Sequence, residues 1–224
     1  MAGCFITFEG GEGAGKSTQI DRLRKRLEQL AQPVLVTREP GGSPYAEEIR
    51  SFILGGHAKH LGPFAEALLF AAARIDHLDK TIAPALASGT HVLCDRFADS
   101  TRAYQGSLGK VDKVLIDDLE RVSLKGMKPD LTLILDLPAE TGLARAGERR
   151  ARKGEGVDRF EKEDISFHQS LRQAFLAIAR SAPERCVVIN ADQAPEEVET
   201  AIWAAVRERL PQLARSAERS LDVA

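Results

Sequence analysis

The sequence has little of several things that would direct its function elsewhere. It holds only three cysteines, Cys4, Cys94 and Cys186, each beside a short apolar or β-branched run. That excludes a disulfide frame or zinc knuckle and reads as buried free thiols in a reducing compartment. The five histidines, at 57, 60, 77, 91 and 168, fall at no metal-ligand spacing, so no transition-metal site is expected. There is no excess of either charge: the net value is −2, which argues against a general nucleic-acid coat. No apolar stretch approaches the ~20 residues of a spanning helix, and the N-terminus shows no signal-peptide core. The chain is therefore expected to be cytoplasmic, with neither nucleic acid nor membrane as a partner.

What is present is a chain of 224 residues, 43% of them hydrophobic, long enough for one domain with a sizeable core or one domain carrying a mobile insert. Short apolar runs alternate with longer amphipathic stretches. Strands are expected over 5–9, 34–37, 91–95, 131–136 and 187–190, and helices over 16–31, 46–54, 64–87, 113–125, 139–149, 166–182 and 195–210. The first helix sets Ile20, Leu23, Leu27 and Leu30 at three- and four-residue steps, a core stripe. Such alternation predicts an α/β fold, a parallel sheet covered on both faces. Ligands gather at the carboxyl ends of such strands. The first three of those ends carry Glu9, then Arg38 and Glu39, then Asp95 and Arg96. Residues 147–161, "GERRARKGEGVDRFE", are basic, rich in glycine and poor in apolar groups, which predicts a mobile lid-like loop. The domain is expected to run over 1–210, with a frayed tail over 211–224.

The stretch "FEGGEGAGKSTQ" follows the first strand directly and opens the first helix. Gly10, Gly15, Lys16 and Ser17 satisfy the phosphate-loop pattern G-x-x-x-x-G-K-[ST], which a random chain of this length shows roughly once in a hundred. Gly10, Gly11, Glu12, Gly13, Ala14, Gly15, Lys16, Ser17 and Thr18 are thus candidates to hold ATP. Lys16 supplies a point charge to the β- and γ-phosphates and Ser17 a hydroxyl to magnesium.

Four further features bear on what receives the phosphate. Arg38, in "TREPGG" (37–42), is placed to grip an anion, although a solvated arginine in a plain turn fits equally. In "CDRFADSTRAYQG" (94–106), Asp95 sits where a carboxylate orders the water around magnesium. Arg96 beside it would turn to a different anion, so the two arginines form a clamp for an acceptor phosphate, or Asp95 and Arg96 form an ordinary ion pair. On the helix over 64–87, residues Phe64, Leu68, Ala71, Ile75, Leu78, Ile82 and Leu86 share one face, read as the core stripe. Phe70 falls nearly opposite, with Arg74 and His77 beside it, so that a stacked base or another protein surface would serve Phe70 equally. Finally, Arg149, Arg150 and Arg152 could close over the transferring phosphate, since the phosphate loop has no arginine of its own.

Together "FEGGEGAGKSTQ", "TREPGG", "CDRFADSTRAYQG", "PDLTLILDL", "DRFE" and "VVINADQAPEEV" resemble the thymidylate kinase family, of the bacterial kind with arginines in the lid. The resemblance runs from about residue 5 to 210. It implies a three-layer nucleoside-monophosphate-kinase fold with sheet order 2-3-1-4-5, a mobile lid, a homodimer, and transfer of the γ-phosphate of ATP, with Mg2+, to dTMP. It further implies that Arg38 and Arg96 bind the dTMP phosphate, that Phe70 stacks on thymine and that Arg74 donates to its O4. Ser100, Thr101 and Gln105 would line the thymine side, Tyr104 would press on the deoxyribose, and Glu12 would meet the 3′-hydroxyl. The segment near 190–193 resembles the adenine-side loop. Phe97 departs from the family, which often has histidine or tyrosine there. Two other readings stand beside this one: a deoxynucleoside kinase with Glu39 as its base, and a P-loop switch or partition ATPase acting through partners.

Overall fold

A computed structural model describes residues 2–153 and 160–214. Five short strands, β1 (Phe5–Glu9), β2 (Val34–Arg38), β3 (His91–Asp95), β4 (Leu131–Asp136) and β5 (Cys186–Asn190), form one parallel sheet of order β2-β3-β1-β4-β5. β1 pairs with β3 and β4, so its glycine loop emerges at the centre of the sheet's carboxyl edge. β1 is buried along its whole length, and β4 along all but its last residue, as befits parallel strands covered on both faces.

The helices are α1 (Lys16–Gln29), α2 (Pro44–Leu54), α3 (Gly62–His77), α4 (Ala83–Ala87), α5 (Ala98–Thr101), α6 (Lys113–Leu124), α7 (Ala139–Lys153), α8 (Ile165–Ser181) and α9 (Pro195–Arg209). On one side α1 and α9 cover the sheet, with Ile20, Leu23, Leu27, Val198, Ile202 and Val206 packed against β1 and β4. Elsewhere Phe175, Leu171 and Ile178 of α8 pack with Ile134 and Cys186, while Leu78 and Ile82 pack with Phe5, Val92 and Phe97. Asp112 and Asp164 start α6 and α8 by accepting from Val114 N and Phe167 N at 2.7 and 2.8 Å. Among the described residues no helix is long and apolar enough to cross a membrane.

Three expectations need correction. The stripe over 64–86 is not one core face: Phe64 and Leu68 are 41% and 45% exposed, while Ala67, Ala71, Arg74 and Leu78 are buried. A π-helical turn over Leu78–Ile82 lies between α3 and α4, and its wider winding breaks the 3.6-residue register. Residues 147–153, expected in a loop, extend α7; residues 154–159 of the expected lid lie outside the described residues. In the expected tail, Leu213 is buried in the core and Gln212 donates to Cys4 Sγ at 3.3 Å, while 215–224 lie outside the description.

Candidate active site

The carboxyl ends of β1, β2 and β3 open into a cavity of about 1100 Å³ that extends beneath α7. The loop from Glu12 to Thr18 forms its floor. Gly13 has φ +66°, and a Cβ there would stand 2.0 Å from the carbonyl oxygen of Gly142. Only glycine fits, so the loop lies directly against the first turns of α7. Lys16 is buried and donates to the carbonyls of Gly10 and Gly11 at 3.2 and 2.9 Å. Burial first, and then the neighbouring Arg96, lower its pKa. Ser17 Oγ donates to Asp95 Oδ2 at 3.0 Å, which joins two hard oxygen ligands at the start of α1.

Arg96 is the centre of the arrangement. It has φ +69°, a left-handed conformation unusual for a residue with a side chain. Its guanidinium donates to Gly10 O at 3.1 Å, to Ser100 Oγ at 3.3 Å and to Glu12 Oε1 at 2.6 Å, and lies 5.4 Å from the centre of the Tyr104 ring. The loop after it is held from below by Glu9, a fully buried carboxyl that accepts from Phe97 N at 2.8 Å, Ser100 N at 3.2 Å and Ser100 Oγ at 2.7 Å. Burial, with Asp99 nearby, pushes the Glu9 pKa up to about 7. Glu12 goes the other way. Burial works to raise it, but Arg96 and Lys16 outweigh that and bring it down to about 2.

Arg38, Phe70, Arg74, Thr101, Tyr104 and Gln105 all line the same cavity, so the structure brings together the residues expected on the acceptor side. Arg38 is half exposed and pairs with Glu47 at 2.9 Å. Phe70 is half-buried and lies on the cavity face of α3, away from the exposed Phe64 and Leu68. Tyr104 meets the Phe160 ring edge-on at 5.0 Å.

The lid arginines divide. Arg149 and Arg150 both pair with Glu161, but Arg149 and Arg152 line the cavity, whereas Arg150 does not. The helix explains this: positions 145, 149 and 152 share a face and 150 is turned from it. Arg145 is therefore a cavity residue that the sequence reading missed, and its heptad-like spacing from Arg149 and Arg152 was the available signal. Arg145 also donates to the carbonyl of Ala191 at 3.1 Å, in the segment expected on the adenine side; Ala191 and Gln193 line the cavity there. Arg50 was missed as well. It lines the cavity and donates to Pro40 O at 2.7 Å, and in sequence it is one more charge on an amphipathic helix.

The thymidylate kinase family model matches residues 8–202. The chain is 60% identical to the thymidylate kinase of Rhodopseudomonas palustris (strain ATCC BAA-98 / CGA009) over 221 residues, 98% of this chain and 95% of that protein. It is 59% identical to that of Bradyrhizobium diazoefficiens over 209 residues, 93% and 90% of the two chains. The crystal structure of thymidylate kinase from Ehrlichia chaffeensis superposes with a TM-score of 0.74 at 32% identity, covering 92% of this chain and all of that one. A central phosphate loop, an arginine-lined cavity and matches along nearly the whole chain agree: this protein belongs to the thymidylate kinase family.

Proposed function

We propose that the cavity seats ATP and dTMP end to end and moves the γ-phosphate of ATP onto the dTMP phosphate, yielding ADP and dTDP for dTTP synthesis. The observation that carries this is the placing of Lys16, Arg38, Arg96 and Arg149 around one cavity whose far wall holds Phe70, Arg74 and Tyr104. A switch ATPase has no use for that second half. A deoxynucleoside kinase with Glu39 as base fits poorly too, since Glu39 is buried and bonded to Arg74 and His77.

The acceptor is a phosphate oxygen. With a second pKa of about 6, a monophosphate is mostly dianionic at neutral pH and needs no general base. It needs alignment and relief of charge repulsion. In this reading the loop amides, Lys16 and Thr18 hold the triphosphate, and Arg38 and Arg96 grip the dTMP phosphate. Arg149 and Arg152 meet the transferring group as α7 closes and excludes water. Phe70 stacks on thymine, Arg74 donates to its O4, Ser100, Thr101 and Gln105 border the ring, and Tyr104 covers the sugar. Glu12, held anionic by Arg96, accepts from the 3′-hydroxyl. Ser17 and Asp95 offer hard oxygens that suit Mg2+, which when bound neutralises phosphate charge. Two protein ligands are typical of a magnesium that rides on a nucleotide.

We also infer a homodimer. Tyr45 and Phe52 of α2, Phe64 and Leu68 of α3, and Val114, Leu115 and Val122 of α6 are exposed on helices that pack side by side. Exposed apolar side chains grouped on adjacent helices are a usual mark of an interaction surface. The buried free cysteines fit a cytoplasmic protein. The chain is read as a single domain with the lid over 147–161.

The test is ADP release with Mg-ATP and, separately, thymidine, dTMP, dUMP, UMP and dCMP. Turnover with dTMP that is lost in Arg96→Ala is the expected result. Turnover with thymidine and not dTMP would overturn the reading.

A further inference from the structure

Behind the base half of the cavity runs a line of buried polar contacts that phosphoryl transfer does not itself require. Thr37 Oγ1 and His77 Nε2 are 2.7 Å apart, and His77 Nδ1 lies 3.2 Å from Glu39 Oε1. Arg74 Nε donates to Glu39 Oε2 at 2.7 Å, and Arg74 Nη2 to Thr101 Oγ1 at 3.1 Å. His77 is fully buried, and Glu39 and Arg74 are 6% and 3% exposed. A carboxylate only accepts, so His77 turns a protonated Nδ1 to Glu39, and its Nε2 is paired with the Thr37 hydroxyl, which can serve either role. The far end of the line is fitted just as closely. A Cβ on Gly42, at φ +84°, would stand 2.3 Å from His77 Nε2 and 2.5 Å from Thr37 Oγ1.

The consequence falls on Arg74. Two of its nitrogens are engaged and its guanidinium lies 5.1 Å from the centre of the Phe97 ring, so its rotamer is closely held. Its charge is already answered by Glu39. What this cavity-lining side chain has left is Nη1, which has no partner among the described residues. A fixed, neutralised guanidinium with spare N–H donors favours a neutral carbonyl over an anion. It also disfavours an amino group, which would set donor against donor and leave a buried N–H unpaired.

We propose that Glu39, backed by His77 and Thr37, is the positioning residue that makes Arg74 a rigid reader of the pyrimidine 4-carbonyl and so sets discrimination against cytosine. This rests on the reading of the cavity as a dTMP site. A mobile arginine would swing aside and tolerate the 4-amino group, whereas a held one cannot, so that rigidity itself is the specificity device.

The test is steady-state kinetics of the full chain with Mg-ATP, using dTMP and dCMP. The proteins are wild type, Glu39→Gln, His77→Gln, Arg74→Lys and the Glu39→Gln/Arg74→Lys double variant, with melting temperature and ATP affinity as controls. Glu39→Gln is expected to raise KM for dTMP by roughly 10- to 100-fold with little change in kcat, and to lower the dTMP:dCMP ratio of kcat/KM by about tenfold or more. His77→Gln should move the same ratio in the same direction, and it decides the matter if Glu39→Gln fails to fold. The double variant should be little worse than Arg74→Lys alone, because Glu39 acts through Arg74. Equal losses with both nucleotides, or independent multiplication of the two single effects, would reduce Glu39 to a support of the fold and overturn the proposal. If Arg74→Lys leaves the ratio intact while dTMP is turned over, the positioning role falls and the dTMP reading stands. If wild type does not turn dTMP over, the underlying reading fails first.

Discussion

Glu9 and Glu12 stand three residues apart in the sequence and meet opposite fates, and the difference is a matter of partners. Glu9 is fully buried with Asp99 nearby, which favours its protonated form more than its donors, Ser100 and Phe97 N, and the Arg96 charge oppose it; Glu12 faces Arg96 and Lys16, which favour its charge. Their effects on stability therefore have opposite signs. Glu12 contributes stability above the ordinary carboxylate value of 4.5, and that contribution is lost as pH falls toward about 2. Glu9 binds a proton in the folded state that the unfolded chain has released, so stability falls as pH rises from 4.5 through about 7. Urea denaturation across pH checks both. Glu12→Gln should flatten the acid limb, and Glu9→Gln should remove part of the loss between pH 5 and 7. Arg96 is ion-paired with Glu12, and Arg96→Ala is expected to lower kcat/KM for dTMP by about 10³-fold or more, since it removes one charge from the phosphate clamp and the closest cation beside Glu12.

The elements were legible to different degrees, for physical reasons. Each strand is a short run of apolar or β-branched residues between turn residues, and every expected strand was found within a residue of its observed ends. The long amphipathic helices were found with looser ends, and the one expected over 64–87 is divided by the π-helical turn Leu78–Ile82. Residues 98–108 were not read as helical because α5 is one turn long and passes into a π-helical stretch, Arg102–Leu108, whose side chains follow no 3.6-residue repeat. Glycine and charge made 147–153 look like a loop, yet Gly147 is tolerated inside α7 at a cost of about 1 kcal/mol. Being helical, α7 ranks its arginines. Arg149→Ala is expected to lower kcat by roughly 10² to 10³-fold, within reach of an arginine-finger loss, and Arg150→Ala by less than tenfold. Single-turnover assays on the two variants separate these outcomes. Equal losses would mean that the helix face does not decide which arginine acts. At the other end of α7, Gly13→Ala should impair ATP binding, since its Cβ would strike the Gly142 carbonyl.

For the whole molecule, composition and pattern made the α/β architecture readable, and the family motifs made the cavity readable. The outer surface of α3 was not. Leu68 and Ile75 follow the same periodicity as a core stripe, and nothing in a single chain distinguishes a face turned to its own sheet from one turned to a second copy. If the protein is the homodimer proposed above, Leu68→Asp is expected to shift it to a monomer in sedimentation-velocity experiments while leaving the melting transition cooperative; a dimer that the substitution leaves unchanged would exclude this face. The close fit of Gly13 against Gly142 has one further consequence. Were α7 to pivot on that contact, its arm from Gly142 to Arg152 would be roughly 15 Å at 1.5 Å per residue. A tilt of about 10° at that pivot would sweep the arginine tip by roughly 3 Å, the span between a charge-assisted hydrogen bond and a gap that admits water. In the proposed reading, a shift of the loop against Gly142 would thus be felt at Arg152, at the far end of the arm.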